Sequence, residues 1–283
     1  MHKIIKKFYL LFLKFVPKNR SGDKLIAYIN FVRFHKRFPK KNFLNDYLFK
    51  IKTTDEILSV LRQYTSDKEF VKDYIGSTVG DKFNVKTKAV LRNLEDLWNY
   101  KFSNGDVVKP TQASGRVLFV SHDEIDKDKI ASWFNLNFYD YSREANYKYL
   151  QPKIIIEEQI FGRTDVDDVK FFCYKGKVKV IQWDFDRRKN HTRMLYDRDW
   201  NSLNASLCYP KSDKIQPRPE KLNEMIAVAE KLAAPFELVR VDLYYDEKTT
   251  EFLVGEITHC HGSANESFDS KESEIRVSKK IFN

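Results

Sequence analysis

Val239-Arg240-Val241-Asp242-Leu243 and, further on, Val254-Gly255-Glu256-Ile257-Thr258 are the two stretches that decide the fold. The first alternates apolar and charged residues, so Arg240 and Asp242 point to one face and Val239, Val241 and Leu243 to the other. In the second, Glu256 and Thr258 again share a face. Asp246-Glu247-Lys248 supplies the turn between them. Paired as a hairpin, the two strands bring Arg240, Asp242, Glu256 and Thr258 together. Two carboxylates and a hydroxyl are hard oxygen donors suited to Mg²⁺, which, when held by few carboxylates, shares its shell with substrate phosphates. The same alternation also describes an exposed sheet face carrying a surface Arg–Asp pair.

Upstream, Val169 to Tyr174 and Val178 to Asp184 read as a second hairpin around Lys175-Gly176-Lys177. Lys153 to Glu157 is a β-branched run and reads as a buried strand. Val107 to Pro110 and Arg116 to Ser121 read as short strands around a polar turn. Pro219 to Ala234 is the clearest helix, with Leu222, Met225, Ile226 and Ala229 on its apolar stripe. Residues 20–100 read as mainly helical. Leu25, Ile29 and Val32 form one face, Thr54 caps a second helix, Phe70 to Ile75 makes a third and Leu91 to Trp98 a fourth. The fold class is α+β, with antiparallel hairpins concentrated in the second half.

Three more stretches carry candidate chemistry. Lys109 precedes a turn of small residues, Ser114-Gly115, whose backbone N–H groups and lysine can cradle phosphate; a Ser-Gly turn is also common in plain hairpins. The apolar strand Ile154-Ile155-Ile156 runs into Glu157 and Glu158, which end at a pocket lip or at solvent. Arg187, His191 and Arg193 gather after Asp184 and Asp186, where they can grip a phosphate or carboxylate or form a solvated loop. His259-Cys260-His261 is too short a run to specify zinc.

Composition narrows the classes. Of 283 residues, 50 are Lys or Arg and 40 Asp or Glu. The first 50 residues hold 13 basic and 2 acidic side chains, and the remaining 233 are almost neutral, so charge does not spread over the fold as in a nucleic-acid binder. Apolar content of 42% argues against disorder, and three separated cysteines argue for a reducing compartment. No apolar run reaches the ~20 residues of a membrane span, and no cleavage site follows Phe8 to Leu13. The expected location is cytoplasmic. At 100° per residue, Lys3, Lys6, Lys7, Lys14 and Lys18 oppose Ile4, Ile5, Phe8, Phe12 and Phe15. A basic amphipathic helix over 1–20 docks on the protein's own core or touches the inner face of a membrane.

In this order, the pieces resemble the TupA-like branch of the ATP-grasp superfamily, linked with teichuronopeptide and other polysaccharide biosynthesis. The resemblance runs from Asp23 to Phe268. It rests on Thr65-Ser66-Asp67-Lys68, Val108-Lys109-Pro110 through Ser114-Gly115, Lys170-Phe171-Phe172-Cys173-Tyr174, Asp186-Arg187 with His191-Thr192-Arg193, Tyr196-Asp197 with Asp199-Trp200, and the two strands quoted first. It implies an ATP-grasp fold with a mainly helical part at 21–100, a lid at 101–158 and a C-terminal part with a metal site at 159–283. It implies ATP and Mg²⁺ as cofactors. Lys109, with Lys68, would contact phosphate beside Ser114 and Gly115. Glu157 and Glu158 would receive adenine, with Asp168 at the ribose and Lys170 in the same nucleotide site. Asp242, Glu256 and Thr258 would hold the metal. Arg240, Arg187, His191 and Arg193 would hold the reacting oxygens. Gln112, Ala113 and Arg116 stand where relatives often carry His and Gly, and Ala264 replaces a frequent Gly.

The implied reaction joins a carboxylate to an amine through an acyl phosphate. The expected partners are a uronic-acid-containing sugar or glycan and an amino acid or other amine. A sugar or glycan kinase using the same ATP site is the alternative in a second class. A non-catalytic ATP-grasp-like binding module is the third.

Overall fold

The computed structural model describes residue 13 and residues 15–120, 125–163, 166–186 and 190–283. Residues 1–12 and 14 of the basic helix expected over 1–20 lie outside them, as does Arg187, and Val16 to Asn19, which are described, are not helical. Among the described residues no helix is long and apolar enough to cross a membrane.

Two antiparallel sheets organise the chain. The first contains β1 (Thr87–Leu91), β2 (Asp106–Pro110), β3 (Leu118–Phe119) and β4 (Ile154–Glu158), in the order β1-β4-β2-β3. The second contains β5 (Asp167–Tyr174), β6 (Lys177–Phe185), β7 (Thr192–Asp197), β8 (Leu238–Tyr245) and β9 (Phe252–Thr258), in the order β7-β6-β5-β8-β9. The β5–β6 turn has Lys175 and Gly176 both at positive φ, 48° and 71°, the mirror-image turn whose twist matches a tight hairpin. The expected β8–β9 hairpin forms in the register that pairs Arg240 with Thr258 and Asp242 with Glu256.

Alternation along the second sheet separates core from cavity. Val169, Phe171, Val239, Val241 and Leu243 pack under α1 (Leu222–Ala233), whose Leu222, Met225, Ala229 and Leu232 are fully buried. Each of the larger side chains contributes roughly 1.5–3 kcal/mol of burial. The opposite face is split. Phe172, Val180, Leu195 and Leu238 pack against the helix Leu44–Thr53 and the C-terminal helix Lys271–Phe282. The rest of that face is polar and carries Asp168, Lys170, Asp184, Arg193, Arg240 and Asp242 beside Gln182 and Thr258. The first sheet divides likewise, with Val108, Ile154 and Ile156 in a small core beside Trp133 and Ile130, and Lys109 and Glu157 on the other side.

Several local expectations differ from the structure. The helix Arg20–His35 buries Gly22, Asp23, Ile26, Ala27 and Phe31, whereas Leu25 is exposed. The face is turned because Asp23 accepts from Tyr139 Oη at 2.8 Å and Arg143 Nη1 at 3.1 Å, which makes a buried carboxylate tolerable. Thr54 starts only a short 3₁₀ turn, Asp55–Leu58, and makes no side-chain cap; Ser59 caps the next helix by accepting from Arg62 N. Leu91 ends β1, and the helix expected from it begins at Leu94 under an Asn93 cap. Thr192 and Arg193, expected in a charged stretch that grips an anion or forms a solvated loop, open the strand Thr192–Asp197, and Arg193 is satisfied by Asp184 on β6.

Candidate active site

The charged face of the second sheet and the Lys109 side of the first enclose a cavity of about 640 Å³, within the ~300–1,000 Å³ typical of small-molecule sites. Strand register places its floor. Arg240 Nε donates to Asp242 Oδ1 at 2.7 Å and Nη2 to Oδ2 at 2.6 Å. Nη2 also reaches Thr258 Oγ1 at 3.3 Å, and Thr258 donates to Glu256 Oε1 at 3.1 Å. All four residues expected to converge therefore do. Lys170, opposite Asp242 on β5, donates to Asp168 and stands 3.3 Å from Asp242 Oδ2.

Burial alone would push the Asp242 carboxyl up, but Arg240 and Lys170 outweigh it and hold the group far below the usual carboxylate range. Burial works against the Lys170 ammonium too, and Asp168 and Asp242 overcome it. Asp242 is thus a fixed anion and Lys170 a fixed cation.

Across the cavity Lys109 Nζ donates to Glu157 Oε2 at 2.6 Å, while Lys72 binds Oε1 at 2.6 Å. Lys72 carried no signal in the sequence, because nothing local marks a helical lysine that reaches another element. Glu158 lies further out, paired with Lys86 at 2.6 Å. Lys68 donates to the Ala113 carbonyl, and burial lowers its proton affinity. This ties the start of the polar loop to the turn before the helix Phe70–Val79. Gln112 is buried, with Nε2 on the Trp133 and Leu136 carbonyls at 2.9 and 3.2 Å, so its side chain anchors the loop. Ser114 and Gly115 follow, exposed on the cavity rim, and Gly115 takes φ +73°.

His191 and Arg193 also line the cavity. Arg193 is buried, with Nε and Nη2 on Asp184 at 2.5 and 3.2 Å and Nη1 on the Leu207 carbonyl at 2.6 Å. His191 lies 3.4 Å from Asp184 and stacks on Tyr209. The three-residue run at 259–261 splits in three directions. His259 meets Arg62 and Thr65, Cys260 the Leu48 carbonyl, and His261 the Glu266 carboxylate. Among the described residues no group of three or more His, Cys, Asp or Glu side chains is placed to hold a metal ion. Asp242, Glu256 and Thr258 offer two carboxylates and a hydroxyl, a donor set that fits Mg²⁺ only with ligand oxygens completing its shell.

The sequence model of the TupA-like ATPgrasp family matches residues 49–281. The chain belongs to the TupA-like ATP-grasp family. No curated protein matches it. This TupA-like chain is similar in fold to the L-amino acid ligase from Bacillus licheniformis, at 17% identity and TM-score 0.45, covering 87% of this chain and 56% of that one. It is similar to the D-alanine–D-alanine ligase from Bacillus anthracis complexed with ATP, at 13% identity and TM-score 0.43, covering 82% and 72%. For the ATP-grasp ligase PsnB complexed with minimal precursor the figures are 12%, 0.38, 69% and 52%. The chain thus spans about half the length of PsnB and of the L-amino acid ligase.

Proposed function

We propose that the chain is an ATP-dependent carboxylate–amine ligase acting through an acyl phosphate, with a uronic acid of a surface glycan as carboxylate and an amino acid or other amine as acceptor. The observation that carries this reading is the cross-strand set Arg240, Asp242, Glu256 and Thr258 facing Lys109 and the Ser114-Gly115 loop across one cavity. Such a set places cations and hard oxygens where a triphosphate and its metal would lie, and phosphoryl transfer relies on positioning and charge neutralisation. Membership of the ATP-grasp family supports it.

In this reading Asp242, Glu256 and Thr258 would hold Mg²⁺, which when bound neutralises phosphate charge. Lys109 and Lys68 bind phosphate, and the loop backbone at Ser114 and Gly115 closes over it. Glu157 holds Lys109 in place, and Glu158, Asp168 and Lys170 line the nucleotide end. The Nη1 of Arg240 takes no part in its bonds to Asp242 and Thr258, and it holds the reacting acyl and phosphoryl oxygens. Arg193, spent on Asp184 and Leu207, supports that end together with His191.

The test is ADP formation from ATP with glucuronic or galacturonic acid, with hydroxylamine added to capture an acyl phosphate as hydroxamate. Uronate-dependent hydroxamate is expected. A stable phosphorylated sugar and no hydroxamate would replace the ligase with a sugar kinase. No uronate-dependent turnover at all would contradict the substrate class.

A further inference from the structure

Beyond Arg240 and Thr258 the cavity continues along residues 260–266, where His261, Ser263 and Glu266 line it with Glu144 and Tyr147. His261 is 3% exposed. Its Nδ1 lies 3.0 Å from Glu266 Oε2, and its Nε2 has no hydrogen-bond partner. An orphaned ring nitrogen in a buried side chain that lines a cavity calls for an explanation.

The backbone is shaped to build this pair. Gly262, Ser263 and Ala264 are all left-handed, with φ of 53°, 57° and 62°. Two of them are not glycine, a conformation that L-residues seldom adopt and that clusters at functional sites. A Cβ on Gly262 would lie 2.2 Å from Glu266 Cγ. The turn therefore folds Glu266 back onto the ring, and only glycine allows the approach.

The charges around the pair fix its tautomer. Burial works to raise the Glu266 carboxyl, but His261, Arg240 and Arg193 bring it down to about 2. Burial lowers the proton affinity of His261, with Arg240 acting the same way against Glu266 and Asp242. Glu266 is thus an anion that accepts from Nδ1–H, and Nε2 of the neutral ring carries a lone pair.

Resting on the ligase reading above, we propose that His261 and Glu266 are the proton-accepting end of the amine subsite. The acceptor arrives as an ammonium ion, which cannot attack. One N–H proton passes to His261 Nε2, and Glu266 stabilises the resulting imidazolium. The freed lone pair forms the C–N bond to the acyl carbon, and the C–O bond to phosphate breaks, its electron pair leaving with the phosphate. The second amine proton leaves on the phosphate, and the imidazolium returns its proton to water. Arg240, whose charge acts on both His261 and Glu266, would meet the acyl oxygens beside the amine.

The experiment compares two nucleophiles on the wild type, His261→Gln, Glu266→Gln and Gly262→Ala, with ATP, Mg²⁺ and a uronic acid. Lysine is an ammonium ion near pH 7 and needs a base, whereas hydroxylamine is largely unprotonated and does not. The two polar substitutions are expected to lower lysine-dependent amide formation by about 100-fold or more, in the ~10²–10⁴ range of general-base catalysis. Hydroxamate formation should stay within a few-fold of wild type. The lost amide rate should recover partly as pH rises and free lysine increases. Gly262→Ala keeps both functional groups but displaces Glu266, and it should show the same split in weaker form even if His261→Gln does not fold. Equal loss with both nucleophiles, or loss with neither, would reduce the pair to a packing role. A wild type that makes hydroxamate but never amide would also overturn the proposal. A wild type that makes no hydroxamate would instead remove the ligase reading and the dyad's role with it.

Discussion

Arg240 and Asp242, two residues apart on β8, are joined by two parallel hydrogen bonds at 2.7 and 2.6 Å. The guanidinium therefore lies on the same carboxylate oxygens that would face a metal ion. Lys170, 3.3 Å from the same carboxylate, is the second cation there. Removing one partner of a buried pair costs about 3–5 kcal/mol because a charge is left uncompensated. Arg240→Ala should fall at the low end, about 3 kcal/mol, because Lys170 remains. Urea denaturation would measure it, and a loss below about 1 kcal/mol would show that the pair adds little to stability.

Lys109 and Lys72 share the Glu157 carboxylate, one on each oxygen. Lys109→Met leaves Glu157 paired through Lys72, so the loss of stability should stay at or below the low end, about 3 kcal/mol, of the cost of breaking a buried pair. Nucleotide affinity should fall at least about tenfold, equivalent to ~1.4 kcal/mol. A calorimetric titration in which the variant binds as well as wild type would take Lys109 out of the phosphate site.

Gly255 lies against the ring of Tyr244, and a Cβ there would come within 2.7 Å of Tyr244 Cε2 and 3.1 Å of Cζ. Both residues line the cavity. Gly255→Ala must push the ring aside, at about 1–3 kcal/mol for overpacking. The expected result is a lower urea midpoint together with weaker nucleotide binding. An unchanged midpoint would mean that the ring moves freely.

His259 supplies a pH test. Burial lowers its proton affinity well below the ordinary value, and Arg62 beside it adds to the effect. Arg62 donates to Nδ1 at 3.1 Å, so Nε2–H donates to Thr65 Oγ1 at 2.8 Å. The folded state keeps the ring neutral while the unfolded chain binds a proton below pH ~6.5. Stability should therefore fall as pH drops below that value, with the unfolded state taking up the extra proton. Urea midpoints between pH 7.5 and 5 would show the slope, and His259→Gln should flatten it. An unchanged slope in the variant would assign the effect elsewhere.

Strand alternation over Val239–Leu243 was enough to read the β8–β9 hairpin and to put Arg240, Asp242, Glu256 and Thr258 on one face, though the same pattern also fitted an exposed sheet face. The β5–β6 hairpin was legible from its two apolar runs around the Lys175-Gly176-Lys177 turn. β7 was not, because its inward Arg193 looks like a solvent residue until Asp184 is seen beside it. Asp23 misled the reading of its helix in the same way, since its partners Tyr139 and Arg143 lie far along the chain. The His261–Glu266 pair depends on a left-handed turn at 262–264, and two of those three residues are not glycine. No side-chain pattern announces such a turn.

The measurement closest to the central claim is calorimetric binding of a non-hydrolysable ATP analogue, with and without Mg²⁺, to the wild type and to Glu256→Gln. The Glu256 side chain is 44% exposed, so the substitution should leave the fold intact. The wild type should bind in a Mg²⁺-dependent way, and the variant at least about tenfold more weakly. Binding that ignores Mg²⁺ and the substitution alike would contradict the metal site, and no binding by folded wild type would contradict the ATP site itself.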